Sequence, residues 1–221
     1  MDLVESGFRT LIRRTVRGRL GGVWLRGEIP AGGAILALNH HSWWDGYVIG
    51  EVCWSVGTRP YLLMDDANLD RLPFFRNLGV LGAHELRKAV RLAKSGELVW
   101  LFPEGALCPP SGLGDLKPGA AWLSKAADVP LVPVALRVVL RGHAYPEAFV
   151  RFGRPATDLG PALSAELAAL DADVRANDPE RPLPGYLRLR HGQSSDGERL
   201  DLPSRVLASL LKRGWLGGVR A

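Results

Sequence analysis

Apolar and polar positions alternate in blocks along this chain, and the period changes from block to block. Residues 2–20 carry Leu3, Val4, Phe8, Leu11, Ile12 and Val16 near helical spacing, surrounded by Arg9, Arg13, Arg14, Arg17 and Arg19. This predicts a basic amphipathic helix, ended by Gly21 and Gly22. A Pro-Ala-Gly-Gly turn at 30–33 precedes a short apolar run over 34–39, which reads as a buried strand. Helices are expected over 46–57, over 85–95 closed by Gly96, and over 118–127 with Pro118 suited to the first turn. Further strands are expected over 61–64, 98–102, 131–136 continuing to Leu140, and 149–152. Strands alternating with helices indicate an α/β domain. Their continuous apolar character predicts a mixed sheet covered by helices on both faces. Residues 171–201 are polar and rich in Pro and Gly, which predicts a surface loop, and 203–214 read as a last amphipathic helix with Arg205, Lys212 and Arg213. The expected division is therefore an amphipathic helix at 1–22, a catalytic domain at 23–170, and a loop and helix at 171–221 packing on that domain.

Composition narrows the classes. The chain of 221 residues is long enough for one domain with a core and short for two. A net charge of +5 points to an anionic partner. The arginines cluster at an amphipathic end without aromatic platforms, which argues for an anionic membrane surface and against nucleic acid. Cys53 and Cys108 form no C-x-x-C pair, so neither a zinc nor a redox motif is expected, and nothing demands an oxidising compartment. No signal peptide and no apolar window long enough for a transmembrane helix is evident, so a peripheral placement is expected.

Two stretches carry candidate chemistry. Asn39-His40-His41-Ser42-Trp43-Trp44-Asp45-Gly46 follows a buried strand, where α/β folds place functional loops. A histidine and a carboxylate five positions apart can meet across a tight turn. The carboxylate then fixes one ring nitrogen as N–H and leaves the other as a base. His41 is expected to pack or bond within the loop, and Ser42 to cap the following helix. Trp43 and Trp44 suit either an acyl channel or the core. The second stretch, Leu101-Phe102-Pro103-Glu104-Gly105, ends another buried strand with a carboxylate beside a glycine that permits close approach of a ligand. Cys108 lies near it without an evident base.

In this order and separation the motifs resemble the glycerolipid acyltransferase family, the lysophosphatidic acid acyltransferases and their relatives. Asn39-His40-x-Ser42-x-x-Asp45 matches the family's N-H-x-S-x-x-D block, and Phe102-Pro103-Glu104-Gly105 its F-P-E-G block. Leu116-Lys117-Pro118-Gly119-Ala120 looks like the segment that follows, and Val129-Pro130-Leu131-Val132-Pro133-Val134 is similar to the fourth block. The resemblance covers roughly residues 20–155. It implies transfer of an acyl group from acyl-CoA or acyl-carrier protein to a lipid hydroxyl in phospholipid biosynthesis, on the cytoplasmic face of a membrane, with no cofactor and no metal. It implies His40 as general base and Asp45 as its orienting partner, with Glu104, Gly105, Arg87 and Lys117 around the acceptor. Oxyanion donors are expected near Gly105 or in the turn after Pro130. Ala106-Leu107-Cys108 stands where the family usually has Thr-Arg-Ser. The arginine lost there is one expected to hold a phosphate. Arg87, with Lys88 and Arg91 on the same helix, is the expected replacement, although His84 competes for the position; an acceptor without phosphate, or a silent lipid-binding module, is the alternative. The sequence sets no oligomeric state.

Overall fold

The computed structural model describes residues 3–193, 204 and 206–210. In chain order the elements are α1 (Leu3–Arg19), β1 (Gly22–Arg26), β2 (Ala34–Leu38), α2 (Asp45–Ser55), β3 (Tyr61–Met64), α3 (Asp66–Arg71), a 3-10 turn (Pro73–Leu78), β4 (Leu81–Gly82), α4 (Leu86–Lys94), β5 (Leu98–Leu101), α5 (Gly119–Ala127), β6 (Leu131–Val139), β7 (Glu147–Phe152), α6 (Leu159–Ala176) and β8 (Leu187–His191). The strands form one sheet in the order β4-β3-β5-β2-β6-β7-β1-β8. Strands β2 to β6 run parallel, β7 is antiparallel to β6, β1 parallel to β7, and β8 antiparallel to β1. This is the expected mixed sheet.

Strand β2 shows why the sequence gives this architecture. All five of its residues are buried. Ile35 and Ala37 pack with Ala89, Ala93, Ala120 and Leu123 of α4 and α5, while Leu36 and Leu38 pack with Val48, Ile49 and Val52 of α2 on the opposite face. A strand covered on both sides has no place for alternating polar residues.

The arginine-rich helix α1 turns its apolar stripe inward, away from solvent. Ile12 and Val16 are buried and Phe8 stacks on Phe74 with ring centroids 4.7 Å apart. Arg9 lies over the Trp54 ring and Arg13 pairs with Glu51 at 3.1 Å. Leu11 is exposed, together with Arg14, Arg17 and Arg19. Of the stripe that predicts membrane contact, Phe8, Ile12 and Val16 are thus engaged by the core, which includes Val48, Ile49 and Val52 of α2. Glu51, fully buried, also takes the guanidinium of Arg190 from β8, with Nε at 2.6 Å. One carboxylate therefore ties α1, α2 and β8 together; two cations on a single buried acceptor are a strong constraint on geometry.

Residues 171–201 are not the continuous loop the composition suggests. Helix α6 runs on to Ala176, and β8 joins the sheet edge. The described residues 206–210 are helical, with Val206, Leu207 and Leu210 exposed; the rest of the expected last helix, including Arg205, Lys212 and Arg213, lies outside the described residues.

Candidate active site

The parallel strands β2, β3, β4 and β5 all deliver their C-terminal ends to one edge of the sheet. The loop after β2 is an extension of the sheet made by side chains. Asn39 is buried; its amide nitrogen donates to the Leu136 carbonyl at 3.0 Å and its oxygen accepts from Leu136 N–H at 2.8 Å, continuing the β2–β6 ladder. His41 carries it one step further, its Nε2 accepting from Val138 N–H at 3.2 Å. Burial holds the His41 pKa below the ordinary histidine value, the Asp45 charge opposing. A neutral ring whose Nε2 is occupied by an N–H donor is a structural element, as expected for this residue.

His40 differs. Its Nδ1 lies 2.8 Å from Asp45 Oδ2. Asp45 is fully buried as the first residue of α2, and the same oxygen accepts from His41 N–H at 2.9 Å and Ser42 N–H at 3.0 Å. A carboxylate held by two backbone donors has little freedom, so it holds Nδ1 as the protonated nitrogen and leaves Nε2 with a lone pair. The ring stacks on Phe102, centroids 3.9 Å apart and 13° from parallel. Ser42 Oγ accepts from Trp44 N–H at 3.2 Å, closing the turn just before the helix. Trp44 packs partly against the core, whereas Trp43 is 65% exposed beside Tyr47.

Glu104 joins its own loop to the loop after β2. One carboxylate oxygen takes the His40 N–H in a very short bond and the other takes Gly114 N–H at 2.8 Å. His40 carbonyl in turn accepts from Cys108 N–H at 2.8 Å. Glu104 is nearly buried, and each of its oxygens is engaged by a backbone N–H, one of them that of His40. The Gly114 link has no signal in the sequence, since residues 105–117 read as loop. Glutamine at 104 has one acceptor where two N–H groups need one each. We therefore expect Glu104→Gln to lower kcat more than it raises either KM; a change confined to acceptor KM in steady-state kinetics would return Glu104 to the acceptor site.

Gly105 has φ +73, which an L side chain resists, and the Lys117 ammonium lies over its Cα, while Lys117 N–H donates to the Pro103 carbonyl at 2.8 Å. The Gly105 N–H is taken by the Phe102 carbonyl, and the turn after Pro130 sits at the start of β6, the opposite edge of the sheet. The turn after Pro130 is therefore remote from this edge, and at Gly105 itself the N–H is engaged. Arg87 stands exposed near the start of α4, behind β4. Of the expected constellation, His40 with Asp45 and Glu104, and Gly105 with Lys117, come into contact, while Arg87 stands on α4. His84 pairs with Asp66 at 2.6 Å, but both side chains are widely exposed and lack the locking donors that Asp45 has. Among the described residues no cluster of potential ligands could hold a metal ion, and no helix is long and apolar enough to cross a membrane.

A cleft of about 450 Å³ runs beside the His40 loop, lined by Ser42, Pro110, Arg137, Val138, Val139 and Val174 among others. A larger hollow of about 640 Å³ lies away from this edge, around Arg9, Arg59 and Asn77, and the carboxylate in its lining, Glu5, is paired with Arg59 at 3.0 Å.

Comparison with known proteins gives the same reading. No curated protein matches the sequence. Among solved structures, 1-acyl-sn-glycerophosphate (LPA) acyltransferase, PlsC, from Thermotoga maritima superposes with a TM-score of 0.54 over 75% of this chain and 76% of that one, at 16% identity, a likeness of fold. The family described as Acyltransferase matches residues 23–137, just over half of the chain, and that span contains His40, Asp45 and Glu104. With that match and the N-H-x-S-x-x-D and F-P-E-G blocks in place, the chain belongs to the glycerolipid acyltransferase family.

Proposed function

We propose that the protein moves a fatty acyl group from a thioester, acyl-CoA or acyl-carrier protein, to a hydroxyl of a lysophospholipid. The observation that carries this reading is the His40 Nδ1–Asp45 Oδ2 bond of 2.8 Å, which leaves Nε2 open at the strand-end edge. A hydroxyl is too weakly acidic to attack a thioester unaided, so a base within hydrogen-bond reach is the first requirement. His40 Nε2 takes the hydroxyl proton as the oxygen bonds to the thioester carbon. The imidazolium that forms is stabilised by the Asp45 carboxylate. Collapse of the tetrahedral adduct breaks the carbon–sulfur bond, and the proton passes to the departing thiolate. On the Glu104 loop we assign the Ala106 N–H to the oxyanion and the Lys117 ammonium to the acceptor's headgroup.

We assign the phosphate to Lys117 before Arg87, because Lys117 lies against Gly105 on the loop that carries Glu104, while Arg87 stands on α4. On a lysophosphatidic acid acceptor Lys117→Ala is expected to raise acceptor KM about tenfold or more, the loss of one charge-assisted contact, and Arg87→Ala to have the smaller effect. Assays of thiol release with lysophosphatidic acid and with a neutral hydroxylated lipid check this. Turnover of the neutral lipid alone would replace the phosphate acceptor with a neutral or glycosylated one.

A further inference from the structure

Three neighbouring strands, in the order β5-β2-β6, end at the edge that carries His40, and the loop after each exposes a large apolar side chain. Leu107 follows β5 and is 57% exposed, Trp43 follows β2 at 65%, and Leu140 follows β6 at 67%. These loops are adjacent in space: Cys108 N–H bonds the His40 carbonyl, and Ser42, Pro110 and Val139 line one cleft. The first part of the β5 loop is apolar toward solvent, with Ala106, Leu107, Pro109 and Pro110 all exposed. An aromatic and two leucines projecting side by side from a rim exceed the scattered exposed apolar residues of an ordinary surface. They stand where a lipid acceptor must enter if the proposed transfer is right, and this inference rests on that reading.

The charges around the rim fit a bilayer. The C-terminal end of α1 reaches the same edge, because Gly22 of β1 pairs with Glu147, which pairs with Val139, and Gly21 N–H bonds the Pro146 carbonyl. That end presents exposed Arg17 and Arg19, while Lys117 is exposed at the base of the β5 loop and Arg87 toward the β4 side. Most acidic groups nearby are engaged: Asp65 accepts from Ala67 and Asn68 N–H, Asp66 pairs with His84, and Glu85 holds Arg76 and Lys88. Asp115 stands two residues from Lys117. Apolar tips flanked by cations are the pattern of a surface that inserts a few side chains and rests its charges on headgroups.

We infer that the protein docks on a lipid bilayer through this rim, with Leu107, Trp43 and Leu140 inserted, and not through the apolar stripe of α1. Docking this way sets His40 at the membrane surface, so an acceptor need not leave the bilayer to reach Nε2. The stripe of α1 is engaged by the core, and of its described side chains only Leu11 offers apolar surface to solvent.

The test places an environment-sensitive thiol dye at either surface. Cys53 is buried and silent, so a Cys108→Ser background carries Leu107→Cys in one protein and Leu11→Cys in another. With vesicles of phosphatidylcholine containing a minority of phosphatidylglycerol, the dye at 107 is expected to shift to the blue and be quenched by brominated lipid, and the dye at 11 to stay unchanged. In unlabelled protein, Leu107→Glu with Leu140→Glu should lower vesicle partitioning by about tenfold or more, since each leucine forfeits its burial. Turnover should persist on a short-chain lysophospholipid that remains monomeric. A shift at 11 without one at 107, unchanged partitioning of the double variant, or no binding of the wild type overturns the docking surface. Vesicle binding through 107 with no turnover of the monomeric acceptor in the wild type leaves the surface standing and removes the transfer reading instead.

Discussion

Replacing His40 by alanine leaves a folded protein that has lost transfer by ~10²–10⁴-fold, the usual contribution of a positioned general base. The fold survives because Asp45 keeps two of its three donors, the N–H groups of His41 and Ser42, and Glu104 still receives the backbone N–H at position 40. What disappears is Nε2, the one nitrogen of the pair left open for a substrate. The adjacent histidine supplies the internal control. His41→Ala deprives the Val138 N–H of its acceptor, which destabilises by about 1–3 kcal/mol and leaves the base intact. Thiol release measured beside a thermal melt separates the two. Near wild-type turnover in a folded His40→Ala protein, or an equal loss of chemistry in a folded His41→Ala protein, would mean that the wrong histidine has been assigned.

Asp45→Asn is the second large effect, and its cause is different. Asp45 Oδ2 takes three donors while Oδ1 is buried without a hydrogen-bond partner among the described residues. An asparagine can keep its oxygen on the three donors only by placing its NH₂ in that unpartnered position. In the reverse orientation the NH₂ faces two N–H groups and offers a proton to His40 Nδ1, which selects the ring tautomer that cannot act as a base. Either way the imidazolium loses its countercharge. We expect kcat to fall by ~10²-fold or more with both KM values little changed. Retention of more than about a tenth of wild-type kcat would show that His40 does not depend on a charged partner.

The contact between His40 and Asp45 was legible in the sequence because its logic is local: a histidine, a carboxylate and one turn between them. The strand ends at Leu38 and Leu101 were readable for a similar reason, since runs buried on both faces are apolar throughout. Helix α6 was readable in principle. Leu159, Leu163, Leu167 and Leu170 follow helical spacing and are all buried, yet Gly160 and Pro161 at its start disguise it. Strand β1 was hidden by Gly21 and Gly22, which read as a stop and in fact open the strand. β8 alternates leucine with arginine at an exposed edge and looks like loop. The inward turn of α1 could not be read at all, because an amphipathic stripe fits a protein core and a bilayer equally well. The role of Glu104 was also out of reach, as it depends on two backbone N–H groups brought from 64 residues before it and ten after it.

The placement of β1 has a consequence for how the chain is made. Gly22–Arg26 leaves the ribosome early, but its neighbours in the sheet are Glu147–Phe152 and Leu187–His191. Until those segments are synthesised, Val23, Trp24 and Leu25, buried in the finished protein, have no strand to pair with and remain an open, sticky edge. The half of the sheet built from β2 to β6 can assemble first, around partners close in sequence, whereas the far half waits for its first strand to be recovered across most of the polypeptide. Long-range closure of this kind is slow, and the nascent protein is most exposed to misassociation during that interval.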